Sequence, residues 1–339
     1  QLTLAMASHG RGVYMVTKGG QMSMSFLQSL AQTSGRPVMV AALLHNSTNP
    51  QAVFNDMAAI AQANAQGIPM IGQVSCCPLT MDFTFASAYP VEGLVSWRPA
   101  MGLSHEALKV ILADASFRQA VKDELAQSAT FRLFNNEWDK VHVVQTALAQ
   151  HQAYEQQSVA ALAQQAGKDA LDFAMDLALT EDLETVFTAQ LLNSDTEAVA
   201  RLLNDPHSLV SLSDAGAHLT FFNDAGFGLH LLGHWARDLG LMSMTQAVHK
   251  LTAQPAKVLG LKDRGLLRVG FAADLMLFDP TTVGRGPKHR VFDLPGGAAR
   301  LNTLAFGVHG VWVNGQLIAD QQGLKDQAAL AGQLLTEFS

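Results

Sequence analysis

The sequence predicts an α/β protein: part of a parallel sheet amounting to about half of a (β/α)8 barrel, followed by a small β module. Short apolar runs alternate with longer amphipathic segments in the first part, the pattern of strands and crossover helices feeding a parallel sheet. A full barrel takes roughly 250 residues, about 30 per unit. The four strands legible before residue 265 therefore make half of one. After Leu261 the pattern turns to short strands with a tight turn at Asn314-Gly315.

Val13 to Thr17 follows Gly10-Arg11-Gly12, Val38 to Leu44 follows Gly35-Arg36-Pro37, and Ile68 to Val74 follows Gly67; each reads as a punctuated strand. Gln51 to Gln66 reads as the helix between the last two. From about 101 to 205 the text becomes rich in Ala, Gln and Leu and predicts a helical insertion, plainest at Leu171 to Leu179 and Leu183 to Leu192. The fourth strand, Ser208 to Ser213, stops at Asp214, and helices are expected at Gly228 to Leu239 and Thr245 to Leu259. The domain reading is thus a partial barrel over 1–265 and a β module over 266–339, with strands at Ala273 to Phe278 and Gly310 to Ile318 and a final helix near Gln327 to Phe338. The opening residues read as the tail of a helix, so further strands are expected ahead of Gln1.

The chain has 339 residues, 48% of them hydrophobic and 15% charged, with a formal net charge of -7. That composition supports a sizeable core and offers no broad basic face for nucleic acid, which leaves a small molecule as the expected partner. No apolar run approaches the eighteen or more residues of a membrane span, and residues 1–10 lack the pattern of a signal peptide. With two cysteines, adjacent at Cys76 and Cys77, no disulfide framework is available, and a cytoplasmic setting is expected. Half a parallel barrel leaves two strand edges open, so self-association into a homo-oligomer is expected too.

The strongest local feature is SDAGAH at Ser213 to His218. A carboxylate ending a buried strand, beside small residues, stands where barrel enzymes place their chemistry; alternatively Asp214 caps the turn that follows. His218, four residues on, either lines the same pocket or satisfies a loop carbonyl. Lys18 and Gln73 end the first and third strands and are candidate substrate contacts, Lys18 for a carboxylate or a polarised carbonyl. His230 and His234 share a helix face at zinc-pair spacing, but no glutamate of a His-Glu-x-x-His motif accompanies them, and they read as packing residues, as do Cys76 and Cys77.

The run from Leu212 to Asn314 resembles the amidohydrolase superfamily, and within it the N-acyl-D-amino-acid deacylase group. The likeness rests on SDAGAH, GHWARD at Gly233 to Asp238, KLTAQPAKVLGLKDRGLLRVGFAADLMLFDP at Lys250 to Pro280, and VWVNGQ at Val311 to Gln316. It implies the second half of a metal-dependent-hydrolase TIM-like barrel with a composite β-sandwich module, holding one or two Zn2+ ions and hydrolysing a C–N amide bond in an N-acyl-D-amino acid. In that family the aspartate ending the last strand is both metal ligand and proton-transfer group; the position falls on Asp214. His45, a few residues past the second strand, is the candidate for a further ligand. Other parts of the family pattern are missing: no two of the twelve histidines stand two apart, so the His-x-His pair of the first barrel strand has no counterpart. Where deacylases carry a His-Pro-Arg triplet whose arginine holds the substrate carboxylate, this chain has Leu219 to Asp224, which implies a different anchor. A cyclic-amide hydrolase of the same superfamily and a catalytically silent fragment are the alternative readings.

Overall fold

In the computed structural model, β1 (Tyr14–Thr17), β2 (Val38–Leu43) and β3 (Met70–Val74) lie side by side and parallel, joined by helices Met24–Ser34 and Ala52–Ala65. Residues 1–19, 21–129, 131–213, 215, 217–325, 330–336 and 338 are described. The first helix of the pair starts where Ser23 Oγ accepts the Phe26 amide. Each strand sends alternate side chains to opposite faces. Val38, Val40, Val74 and Val210 pack against Leu27, Met57 and Ile60 of the helices, so Met39, Gln73 and Leu209 point to the other face. At Gly72 a Cβ would lie 2.5 Å from Met57 Sδ, so a larger residue there would have to displace the Met57 side chain packed over β3.

After β3 the chain forms a second compact unit, residues His45–Pro50 and Pro78–Asp195. Its antiparallel sheet runs in the order β4 (Leu79–Phe83), β6 (Val186–Leu192), β5 (Val141–Gln145). Helices His105–Ala113, Ala115–Ala126, Val159–Ala166 and Ala170–Thr180 complete it, and Phe83, Phe85, Trp97, Phe117 and Phe187 form its aromatic core. The helical insertion expected over 101–205 thus contains two strands as well as helices. Leu183 to Leu192, read as a helix, is largely β6: Val186, Phe187 and Thr188 favour a pleated surface, and burial alternates along it.

The first unit resumes at Thr196 with helix Thr196–Asn204 and β7 (Ser208–Val210), which pairs with β3 in parallel and completes the order β1-β2-β3-β7. The helix expected at Gly228 to Leu239 is Phe227–His230 running into a π-helical stretch, Leu231–Asp238. The one expected at Thr245 to Leu259 divides into Met244–Leu251 and Ala253–Leu259, because Pro255 has no amide to offer the Leu251 carbonyl.

The β module follows within the same unit. It comprises β8 (Leu275–Phe278), the pair β9 (Gly284–Arg285) with β12 (Ala305–Phe306), and the pair β10 (His289–Val291) with β11 (Arg300–Asn302). β13 (Val308–Val313), β14 (Gln316–Asp320) and β15 (Gly323–Leu324) extend β8 into an antiparallel sheet of order β15-β14-β13-β8. Asn314 and Gly315, at φ 46° and 80°, make the expected tight turn between Val313 and Gln316. The final helix expected near Gln327 to Phe338 does not form over 330–336, which has no regular structure; residues 326–329, 337 and 339 lie outside the described set. Leu330 and Leu334, which would share one helical face, are 101% and 89% exposed, and a short helix without a packed face is marginal in water. No helix among the described residues is long and apolar enough to cross a membrane.

Candidate functional site

The Ser211 amide donates to the Val74 carbonyl at 3.0 Å, just past the last paired residues of β3 and β7. Two residues on, the Ser213 carbonyl accepts the amide of Asp224 at 3.0 Å, folding the 221–224 segment back onto the strand end. Asp214 itself lies outside the described residues, but its neighbour Ser213 stands at the C-terminal edge of the parallel sheet, the edge where side chains from several strands can converge.

Gln73, expected to contact substrate, is buried on β3 one residue before Val74, and its carboxamide oxygen has no hydrogen-bond partner among the described residues. The buried hydroxyl of Ser211 is unpartnered in the same way. Buried polar groups are nearly always satisfied, and these two orphans lie on adjacent strand ends.

Lys18 follows β1 as expected, but its ammonium bonds both carboxylate oxygens of Asp56, at 2.5 and 2.6 Å. The partner comes from the 52–65 helix, 38 residues away in sequence, and no local pattern announces it. His218 packs its ring against Phe221 and Phe222, with centroids 5.2 and 6.5 Å away. His45 belongs to the second unit, where its amide donates to Asn193 Oδ1 and its carbonyl accepts the Asn193 amide. Burial holds the His45 imidazole below its ordinary range, against the opposing pull of Asp195, with Lys140 adding to the depression.

A cluster that sequence reasoning passed over lies just beyond the ends of β3 and β7. Asp224, 3% exposed, accepts from Arg285 Nη1 at 2.9 Å and from Lys288 Nζ at 3.1 Å, both at the same oxygen, Oδ1. Arg285 Nη1 also reaches Cys77 Sγ at 3.4 Å. Cys76 donates its thiol to the Phe227 carbonyl, and its own carbonyl accepts Trp235 Nε1 at 2.7 Å. Complete burial drives the Cys76 thiol well up, with Cys77 adding to it, so Cys76 stays protonated and inert as a nucleophile. Nearby, burial and the Arg285 charge push His230 down to about 3, keeping it neutral. The one sequence signal for this cluster was the pair of cysteines directly after a strand.

Among the described residues, His105, Glu106 and Asp182 of the second unit bring three metal-type ligand atoms within 4.8 Å of one another. Imidazole and carboxylate are donor types zinc accepts. Lys109 Nζ, however, bonds Glu106 at 3.0 Å and Asp182 at 2.8 Å and supplies the positive charge there. At the strand ends and just beyond them stand the Gln73 carboxamide, the Ser211 hydroxyl, the protonated Cys76 thiol, the neutral His230 imidazole and the Asp224 carboxylate, which Arg285 and Lys288 already occupy; among the described residues these groups do not make a zinc site by themselves.

D-aminoacylase of Alcaligenes xylosoxydans xylosoxydans is 40% identical over 99 residues, which cover 29% of this chain and 19% of that protein. N-acyl-D-aspartate deacylase of the same organism is 34% identical over 176 residues, 52% of this chain and 30% of the relative. This chain therefore spans less than a third of either. Among solved structures, a crystal structure of D-aminoacylase matches with a TM-score of 0.49 at 19% identity, over 95% of this chain and 56% of that one. N-acyl-D-glutamate deacylase from Bordetella bronchiseptica, complexed with zinc and a phosphonate inhibitor, matches with a TM-score of 0.49 at 22% identity, over 93% and 54%. The sequence profile of the amidohydrolase family matches residues 105–319, well over half of the protein, and the chain belongs to that family.

Proposed function

We propose that the protein hydrolyses the amide bond of N-acyl-D-amino acids, with the C-terminal edge of the β1-β2-β3-β7 sheet as part of its active site and that sheet as one portion of a (β/α)8 barrel. The observation that carries the reading is the buried Gln73 oxygen, without a hydrogen-bond partner among the described residues, beside the strand that leads towards Asp214. Family membership and the deacylase relatives supply the reaction class.

In this reading Asp214 accepts the proton of the attacking water and returns it to the leaving amine, and the Gln73 carboxamide orients the substrate amide by hydrogen bonding. Zinc is the proposed cofactor, and when bound it would supply a water whose pKa is lowered to about 7. His218, resting on Phe221 and Phe222, lines the pocket. Substrates are small N-acyl compounds, and the protein is cytoplasmic and self-associates.

The test is a panel of N-acetyl-D-amino acids, their L-enantiomers and cyclic amides, offered to the full-length protein with zinc added, with free amine or acid measured. Turnover restricted to the D-series supports the reading. Hydrolysis of the cyclic amides alone, or of nothing in the panel, overturns it.

A further inference from the structure

Two cations share one oxygen of one carboxylate in the cluster beyond β7, and this imbalance points to a missing anion. Among the described residues Asp224 is the single carboxylate paired with Arg285 or Lys288. Arg285 spends only Nη1 on it; Nε and Nη2 make no hydrogen bond among the described residues. Lys288 spends one of its three donors, and its ammonium also stands 5.5 Å over the ring of Phe222. The nearby His230 is neutral and Cys76 is protonated, so neither offsets the surplus positive charge. The Arg285 and Lys288 side chains are 13% and 21% exposed, against 4% for Asp224: the carboxylate is sealed in while the cations keep access to solvent. A largely desolvated cation without a full counter-charge is unfavourable, and an incoming anion would relieve it.

We propose that Lys288, assisted by Arg285, binds the carboxylate of the N-acyl-amino-acid substrate. Position supports the assignment as well as charge. The Asp224 amide bonds the Ser213 carbonyl, so the cluster adjoins the segment leading directly into Asp214. In an N-acyl-α-amino acid the carboxylate is two bonds from the scissile amide nitrogen, so its anchor must stand close to the proton-transfer group. Phe222, which packs against both His218 and the Lys288 ammonium, gives the anchor an apolar wall. In such surroundings a charge-assisted contact is stronger than in open water. Asp224 then acts as the fixed inner partner that holds both cations in place, leaving their free N–H groups for the ligand.

The assignment rests on the deacylase reading, and the experiment separates the two. Binding of N-acetyl-D-leucine and of its uncharged analogue N-acetyl-D-leucinamide to the full-length protein is measured by calorimetry, with hydrolysis followed in parallel. The carboxylate should bind at least roughly tenfold more tightly than the amide. Lys288→Met should weaken carboxylate binding by roughly tenfold to a hundredfold and leave amide binding unchanged, while Lys288→Arg restores most of the preference. Equal binding of the two compounds by the wild-type protein, binding of neither, or an unaltered preference in a folded Lys288→Met variant overturns the anchor. A carboxylate preference lost in Lys288→Met, with no hydrolysis of either compound, keeps the anchor and sinks the deacylase reading.

Discussion

Ser211 and Val74 are joined by a 3.0 Å backbone hydrogen bond that carries the pairing of β3 and β7 one step past their last matched residues. That bond sets Gln73 on one strand beside the approach to Asp214 on the next. The proposed roles of both residues are testable by substitutions that preserve shape and change chemistry.

Asp214→Asn removes the carboxylate proposed to take a proton while keeping nearly the same volume. Turnover of an N-acetyl-D-amino acid should fall by roughly 100-fold or more, the size of a lost acid–base contribution. The thermal midpoint should stay within a few degrees. Steady-state kinetics beside a melting curve check it, and near-normal turnover in the variant removes Asp214 from the mechanism.

Gln73→Met replaces an unsatisfied buried amide with an apolar chain of similar length. Because the Gln73 oxygen has no partner among the described residues, stability should be unchanged or should rise by about 1 kcal/mol. Activity should drop in the same variant. A loss of stability of more than about 2 kcal/mol would show that the carboxamide is structural rather than a ligand contact.

His230 sets a pH dependence of stability. Its folded pKa is about 3 against an ordinary 6.5, so between these values the unfolded chain binds the proton more readily. The contribution of neutral His230 is fully present above pH 6.5 and is lost progressively as pH falls towards 3, a swing on the order of a few kcal/mol. His230→Gln should flatten this part of the profile. Denaturant melts of the two proteins between pH 4 and 7 measure the difference, and parallel curves would refute it.

Asn314→Ala tests whether the β module is support alone. Asn314 sits at φ 46°, and its amide side chain donates to the Ala331 carbonyl at 2.6 Å. The variant should cost about 1–2 kcal/mol of stability through the left-handed backbone and the lost bond, and leave KM unchanged. A shift in KM at unchanged stability would mean that the module reaches the substrate.

Local chemistry accounts for most of what was legible in the sequence. β-branched runs after glycine and proline became β1, β2 and β3, and Asn314-Gly315 made its turn, because those outcomes depend on φ, ψ preferences within a few residues. The position of Gln73 near the end of β3 was legible in the same way. Residues 183–192 misled, since one apolar run suits helix or strand until neighbouring strands supply hydrogen bonds; β4 and β5 on either side decided for a strand. The leucines at 330 and 334 misled in the opposite way, because a helical spacing does nothing without a surface to bury it.

Long-range pairing was settled only by the tertiary structure. Lys18 looked available for substrate until Asp56 was placed against it, and Cys76 and Cys77, packed in the core as expected, also meet Arg285, 208 residues beyond Cys77, which arrives with Asp224 and Lys288. By itself the sequence determined the strand–helix alternation and the hairpin, both consequences of short-range backbone preference and periodic burial. Which charges neutralise one another was decided by the fold, because Coulombic and hydrogen-bond partners are chosen by distance in space and not along the chain.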